Sequence, residues 1–218
     1  MNSGPSQWGF HHWVGSASDF HAHDLEPRRG VWWCDVEQPA LILGSTQSVE
    51  DIDAMTAESS GLAIVRRRSG GGVVYVHPTE SVWIDVTISK DDSLWDDDVT
   101  QSMLWLGDAF VRAFAPWVDA RVYRGSFDAG TDGRTVCFSS TSPGEVFVGD
   151  AKLVGISQRR SRDGARLQCV VYREWSPNSW APVLASPEIR SRALDLSVAT
   201  LDIAADVIVA AFVAALPQ

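Results

Sequence analysis

The segment from Arg66 to Gly72 most constrains how this chain can fold. It reads Arg-Arg-Arg-Ser-Gly-Gly-Gly and lies between two largely apolar stretches, 62–65 and 73–77. Three consecutive glycines weaken a strand, because glycine loses much backbone freedom on folding and offers no side chain to pack. The pattern therefore predicts a loop between two strands, whose backbone N–H groups can approach an anionic ligand while the arginines add positive charge. A solvated charge run that enters a glycine turn would give the same residues, and both interpretations stay open.

Hydrophobic periodicity predicts strands around this loop and helices toward the end of the chain. The predicted strands are 31–36, 40–44, 62–67, 73–77, 81–89, 120–123, 135–139, 145–148, 152–158 and 166–173. The predicted helices are 49–58, 99–117 and a helical region from 186 onward that ends in an amphipathic stretch, 197–216. No repeat or linker divides them, so we expect a single α+β domain, with a central mixed or antiparallel sheet flanked by helices. Residues 1–30 are treated as an N-terminal extension and 31–218 as the domain.

Charge and cysteine usage exclude several classes of protein. The net charge of −10 argues against a nucleic-acid partner, since phosphate contacts need a basic face. The three cysteines lack the spacing of a metal site or a disulfide framework, so we expect no metal and a reducing, cytoplasmic setting. The apolar stretch 207–216 is about half as long as a membrane span, and the N-terminus does not have the pattern of a signal peptide. We therefore expect no membrane partner.

Lys152 is a second candidate functional residue. Only Lys90 and Lys152 are lysines among the 18 lysine and arginine residues, which indicates that a compact ammonium is needed where one is kept. Lys90 precedes two aspartates and is interpreted as a solvated loop residue. Lys152 follows the turn Gly149-Asp150 at the start of a predicted strand, and Gly155 leaves room for a ligand to approach. A surface lysine beside a turn is the competing interpretation.

Together, the loop and the lysine resemble the family of lipoate–protein ligases and octanoyl- and lipoyl-transferases, which belongs with the biotin and lipoate protein ligases. That family has an RRxSGGG loop followed downstream by a lysine on a strand with glycine and arginine, here Arg66–Gly72 and Lys152–Arg159. The resemblance covers about residues 30–175. It implies the family's catalytic-domain fold over 31–218 and a loop that lines a tunnel for a lipoyl or octanoyl chain. It also implies that Lys152 contacts the acyl carbonyl or an acyl-adenylate, where an ammonium stabilises developing negative charge.

The resemblance implies two catalytic residues, a set of substrate-binding residues and no metal ligand. The catalytic residues are Lys152 and Cys137. The substrate-binding residues are Arg66, Arg67, Ser69, Gly70, Gly71, Gly72, Val73, Tyr75, His77, Gly155 and Ser157. Many relatives carry a His-Asp pair directly after the aromatic position of the loop. Here Val76 takes the first of those places and His77-Pro78 follows, a departure that bears on the shape of the pocket and on activity.

Two reaction classes occur in this family. Ligases activate free lipoate with ATP and magnesium, whereas transferases carry the acyl group as a cysteine thioester and need no cofactor. The string GISQRR at 155–160 and the pair Cys137-Phe138 resemble the transferase branch. Cys137 would then be the nucleophile, with the ammonium of Lys152 favouring its thiolate. A buried core cysteine is the competing interpretation of Cys137, and Cys169 is the second candidate nucleophile.

We therefore expect an enzyme that attaches a lipoyl or octanoyl group to a lysine of a lipoyl-carrier domain by cysteine-dependent acyl transfer. The carrier would be a glycine-cleavage H protein or a lipoyl domain of a 2-oxoacid dehydrogenase. The alternatives are an ATP-dependent lipoate–protein ligase and a non-catalytic relative that binds an acyl group or a nucleotide. A biotin–protein ligase relative is disfavoured, because the loop has the RRxSGGG pattern.

Overall fold

A seven-stranded mixed sheet forms the centre of the protein, in a computed structural model that describes residues 8–218. The strands are β1 (Gly9–Gly15), β2 (Gly30–Val36), β3 (Ala40–Leu43), β4 (Ala63–Arg66), β5 (Val74–Val76), β6 (Ser81–Ser89), β7 (Arg121–Val122), β8 (Val146–Val148), β9 (Ala151–Arg160) and β10 (Gly164–Tyr172). The helices are α1 (Ala17–Ala22), α2 (Ala54–Ser59), α3 (Leu104–Phe114), α4 (Pro187–Leu194) and α5 (Ala205–Ala214). The large sheet has the order β1-β2-β6-β10-β9-β8-β7, and a small sheet has the order β4-β3-β5. This arrangement confirms the expected α+β domain, with a mixed sheet flanked by helices.

The two faces of the large sheet bury different cores. Along β6, Val82, Ile84 and Val86 pack on the side that carries α3 and α5. The alternate residue Trp83 belongs to a second core, which lies between the large sheet and the small sheet. This alternation follows from the two-residue period of a strand, and it leaves Asp85, in phase with Trp83, on the small-sheet side. Any ligand held between the two sheets therefore meets polar as well as apolar side chains.

The described part of residues 1–30 joins this sheet. Strand β1 pairs in parallel with β2, from Gly9 opposite Gly30 to Gly15 opposite Val36. Helix α1 follows directly and begins at the N-cap Ser16, whose hydroxyl accepts from the Asp19 N–H. Residues 1–7 of the expected extension lie outside the described range. The described residues of the extension thus add an edge strand and a short helix to the domain.

Several predicted elements are wrong in type or extent. The predicted strand 135–139 forms only an isolated β-bridge, from Val136 to Val73, and then a short 3₁₀ turn, Cys137–Ser139. The predicted helix 99–117 begins only at Leu104, because the Asp98 carboxylate accepts from the Thr100 N–H and holds a turn instead. The predicted helix 49–58 is split into a 3₁₀ turn, Val49–Asp51, and α2.

The amphipathic stretch 197–216 is helical only over α5. Its first residues extend instead along the ends of β9 and β10, where the Ala199 N–H donates to the Lys152 carbonyl and the Leu201 N–H donates to the Tyr172 carbonyl. These hydrogen bonds use backbone N–H groups that would otherwise bond within a helix, so the segment stays extended.

Among residues 8–218, no helix is both long enough and apolar enough to cross a membrane.

Candidate active site

A narrow pocket lies between the two sheets, and Arg67 of the glycine loop is part of its lining. Its apolar walls are formed by Ile42, Val74, Val76, Trp83, Phe138, Ile156 and Val170, with Gly155 on the floor. Its polar lining is His21, Arg67, Cys137, Ser157 and Gln168. A mostly apolar pocket with a few convergent polar groups is typical of a small-molecule site.

The glycine loop packs tightly against the segment that carries Cys137. The Val73 N–H donates to the Thr135 carbonyl at 2.7 Å, and the Cys137 N–H donates to the Val73 carbonyl at 3.0 Å. A Cβ added to Gly72 would lie 2.6–2.8 Å from backbone atoms of Thr135 and Val136. Gly71 adopts a φ of +101°, in the region that favours glycine. The glycines therefore serve a close backbone contact that positions Cys137.

We expect Gly72→Ala to destabilise the protein and to reduce any activity that depends on Cys137. The new methyl group would push the 135–137 backbone away, and backbone cannot yield as the end of a flexible side chain can. Gly70→Ala is the matched control in the same loop, because an added Cβ there meets no atom within 4 Å. Thermal denaturation should show a fall of roughly 2–3 kcal/mol in the free energy of unfolding for Gly72→Ala. Equal melting temperatures for the two variants would contradict this prediction.

The first two arginines of the loop bind backbone carbonyls. Arg66 donates to the carbonyls of Gly44 and Gln47 at 2.8 and 2.7 Å, and it does not line the pocket. Arg67 is buried and donates to the carbonyls of Ile42, Gly70 and Gly72. Both guanidinium groups thus fix the loop, whereas the sequence suggested a role in anion recognition.

The third arginine, Arg68, is exposed and pairs with Asp24 at 3.0 Å. Of the predicted arginines, only Arg67 reaches the pocket.

Cys137 lies beside both the pocket and a buried cation. It lines the pocket, and its Sγ lies 4.0 Å from Nη2 of Arg67. A cation beside a cysteine sulfur stabilises the thiolate, which is the nucleophilic form. The other two cysteines are buried away from the pocket, and burial raises the pKa of Cys34 and Cys169 well above the usual range. Cys169, the second candidate nucleophile, is therefore poorly suited to this role.

Lys152 lies behind the pocket wall in a buried ion pair. Its Nζ lies 2.9 Å from Oε1 of Glu145, and both side chains are 1% exposed. Nζ also donates to the Cys137 carbonyl at 3.0 Å and lies 5.3 Å from the centre of the Phe138 ring. Burial raises the pKa of Glu145, and the ammonium of Lys152 opposes that rise. The cation beside the Cys137 sulfur is thus Arg67, while Lys152 holds the backbone carbonyl of the same residue.

The structure separates the other predicted binding residues into two groups. Ser69 donates to Gln168 at 2.6 Å and lies 3.2 Å from the Ser157 hydroxyl, so both predicted serines join one polar cluster at the pocket. Gly155 lies under the ring of Phe138, which a Cβ would approach to 2.8 Å. The remaining predicted binding residues do not line the pocket: Gly70, Gly71, Gly72, Val73, Tyr75 and His77.

The residues of strand β5 that line the pocket alternate with the predicted ones. Val74 and Val76 line the pocket, whereas the predicted residues were Val73 and Tyr75. Tyr75 is buried on the other side, near Trp180, and its carbonyl accepts from the Tyr172 hydroxyl at 2.7 Å. The His77 Nδ1 accepts from the Thr79 N–H at 3.2 Å and so closes the following turn. Because side chains alternate along a strand, an error of one residue exchanges the two faces.

Sequence reasoning missed a buried polar network beside the pocket. Asp85 is fully buried, accepts from the Trp83 indole N–H at 2.6 Å and forms an ion pair with Arg166. Arg166 also donates to the Phe20 carbonyl of α1, which brings the next residue, His21, to the pocket. The sequence does contain one sign of this network, because Asp85 is a charged residue inside the otherwise largely apolar stretch 82–88. No comparable pattern marks Glu145, the partner of Lys152.

No group of three or more His, Cys, Asp or Glu side chains in the described part of the chain is arranged to hold a metal ion.

Comparisons with known proteins find similarity in sequence and in fold. Among curated proteins, the lipoate-protein ligase LplJ of Bacillus subtilis (strain 168) is 40% identical over 52 residues, which are 23% of this chain. The matched stretch covers only 16% of that protein's length.

Two solved structures share the fold over most of their length. A bi-partite lipoate protein ligase from Thermoplasma acidophilum, described with its E2 lipoyl domain, matches with a TM-score of 0.72 at 16% identity, covering 96% of this chain and 82% of that one. A lipoate-protein ligase A bound with ATP matches with a TM-score of 0.71 at 17% identity, covering 96% and 83%. At this level of identity the two structures show the fold alone.

A protein-family model described as the lipoyl protein ligase A/B catalytic domain matches residues 19–215, which is most of the chain. The chain therefore belongs to the lipoyl protein ligase A/B catalytic domain family.

Proposed function

We propose that this protein transfers a lipoyl or octanoyl group to a lysine amine of a lipoyl-carrier domain, through a thioester on Cys137. The observation that carries the proposal is the place of the Cys137 sulfur, on the wall of a narrow apolar pocket and 4.0 Å from the Arg67 guanidinium. The pocket suits a slender aliphatic chain, and the cation suits a thiolate. Cys34, Cys137 and Cys169 form no disulfide. The reducing cytoplasm expected from the sequence would keep Cys137 free to act as a nucleophile.

The reaction consists of two acyl transfers. The Cys137 thiolate attacks the carbonyl carbon of an acyl thioester, a new carbon–sulfur bond forms, and the donor leaves as a thiolate. The lysine amine of the carrier domain then attacks the same carbonyl, the amide bond forms, and the carbon–sulfur bond breaks to release the Cys137 thiolate. The proton that the amine loses passes to solvent and balances the thiolate on the departed donor. The Arg67 charge would stabilise the sulfur anion at the start and the end of the cycle.

Lys152 acts in this proposal as a positioning residue. Its ammonium is shared between Glu145 and the Cys137 carbonyl, so it fixes the backbone of the nucleophile and does not touch the pocket. This arrangement also weighs against the adenylate route. A phosphate group drawn to Lys152 would lie close to the Glu145 carboxylate, and two anions in a buried place repel each other.

Intact-mass spectrometry of an apo lipoyl domain tests the proposal. The full chain is incubated with that domain and one of two donors: an acyl carrier protein loaded with an octanoyl or a lipoyl group as a thioester, or lipoic acid with Mg-ATP. We expect the lipoyl domain to gain one acyl group from the thioester donor, with a transient acyl adduct on Cys137. A gain from lipoic acid and Mg-ATP, with none from the thioester, would instead establish the ATP-dependent ligase.

The carrier is the second variable of this experiment. A glycine-cleavage H protein and a lipoyl domain of a 2-oxoacid dehydrogenase are the two classes to compare as acceptors. The Thermoplasma ligase described with an E2 lipoyl domain makes the latter the natural first choice.

A further inference from the structure

The pocket has two ends that lie over different strands. Trp83, Val170 and Gly155 are paired neighbours on β6, β10 and β9, and all three line it. The Phe138 ring covers Gly155, which places the Cys137–Phe138 segment at the β9 end. The His21 ring packs on Trp83, with 4.8 Å between the ring centres, and marks the β6 end. Because neighbouring strands lie about 4.8 Å apart, the two ends are separated by roughly 10 Å.

This separation matches the length of the acyl chain in the proposed reaction. An extended eight-carbon chain is about 9 Å long, since each carbon–carbon bond advances it by ~1.3 Å. With its carbonyl at Cys137, the far end of the chain would reach His21 and Trp83. At that point the two candidate acyl groups differ, because an octanoyl group ends in saturated carbon whereas a lipoyl group ends in a five-membered ring with two sulfurs.

His21 is unusual among the pocket residues. It is only 7% exposed, and its Nε2 has no hydrogen-bond partner within residues 8–218. Burial, together with the nearby charges of Arg166, Arg67 and Arg68, lowers the pKa of His21 to about 3, so the ring is neutral at physiological pH. A buried polar nitrogen without a partner is unfavourable and normally has an explanation. A ligand that supplies a partner would remove this cost.

We propose that His21 determines which acyl tail the pocket accepts, and that it selects the sulfur-bearing ring of a lipoyl group over the saturated end of an octanoyl group. The proposal rests on the acyl-transfer function given above. In the tautomer that carries its proton on Nε2, the imidazole can donate to a ring sulfur, which is a weak acceptor. The indole ring of Trp83 adds a favourable contact between sulfur and an aromatic ring. An octanoyl chain would leave Nε2 unpaired against carbon.

Isothermal titration calorimetry with lipoamide and octanamide tests this selection without requiring transfer. We expect the unaltered protein to bind lipoamide about tenfold more tightly than octanamide, since only lipoamide pairs the imidazole and offers sulfur to the indole. His21→Leu should bring the ratio to about one, mainly through tighter octanamide binding. His21→Gln keeps a side-chain N–H donor and should retain a preference for lipoamide. His23→Leu, two residues along and exposed, is the matched control and should keep the ratio of the unaltered protein.

The outcomes separate this proposal from the function on which it rests. Equal affinities for the two amides in the unaltered protein would overturn the role of His21 and leave acyl transfer standing. The role of His21 would also be overturned if both His21 variants, each shown to be folded by circular dichroism, kept the lipoamide-to-octanamide affinity ratio of the unaltered protein. Failure of the unaltered protein to bind either amide would overturn the acyl pocket, and with it both proposals.

Discussion

Replacing Cys137 with serine is expected to lower the rate of acyl transfer by at least about a thousandfold, because a serine hydroxyl beside an arginine is a far weaker nucleophile than a cysteine thiolate. Serine has nearly the same size, so the contacts of the 137–139 turn should persist. The affinity for lipoamide or octanamide should therefore change little. The measurements are transfer to an apo lipoyl domain by mass spectrometry, and amide binding by calorimetry.

Cys169→Ala is the matched control for this variant. Cys169 is fully buried and does not line the pocket, so its replacement should leave the transfer rate near that of the unaltered protein. Full activity in Cys137→Ser would remove the thioester mechanism and favour direct attack of the lysine amine on an activated acyl group. Loss of activity in both variants would indicate a general effect of cysteine replacement on folding.

Strand positions were predictable from the sequence because hydrophobic periodicity is a local signal. The predicted strand 81–89 coincides with β6, and the predicted strand 31–36 differs from β2 by one residue. The predicted secondary structure is wrong where hydrogen bonds to a distant segment override the local preference for a strand or a helix. Residues 135–137 bind the backbone of the glycine loop, and residues 199–201 bind the ends of β9 and β10. No pattern within either segment reveals such a partner.

The candidate site was predictable as a set of motifs, but its internal geometry was not. The sequence indicated Cys137, Lys152 and the glycine loop, and the structure brings these together through hydrogen bonds. It did not indicate that Arg67 would be the cation beside the sulfur, because three adjacent arginines look alike in sequence. The orientation of β5 was missed for a related reason: Val73–Val76 is apolar or aromatic throughout, so it carries no alternation from which a face could be assigned.

His21 was missed because its role depends on the tertiary fold. It lies in a segment rich in His, Gly and Ser that gives no periodic signal, and Arg166 on β10 holds this segment at the pocket by donating to the carbonyls of Phe20 and His23. A residue that long-range hydrogen bonds bring to a pocket in this way carries no local sequence pattern that could identify it.

Replacing Lys152 with methionine is expected to lower the free energy of unfolding by about 3–5 kcal/mol, because the buried Glu145 would lose its partner. For a chain of this length we expect a fall of roughly 10 °C in the melting temperature. The double variant Lys152→Met with Glu145→Leu should recover most of this loss, since an apolar pair of similar volume is often as stable as a buried ion pair. Thermal and urea denaturation of both single variants and the double variant would measure the coupling between the two residues.

The exposed ion pair between Arg124 and Asp108 provides the control, and Arg124→Met should change stability by less than ~1 kcal/mol. If Lys152→Met lowers the free energy of unfolding no more than this control does, Lys152 and Glu145 do not form a buried ion pair in solution. Activity then separates the two roles of Lys152. The double variant restores the fold but lacks the hydrogen bond to the Cys137 carbonyl, so it should remain impaired in transfer while it still binds the amide ligands. Recovery of both stability and transfer would show that Lys152 contributes only to the core, and that the glycine loop alone positions the nucleophile.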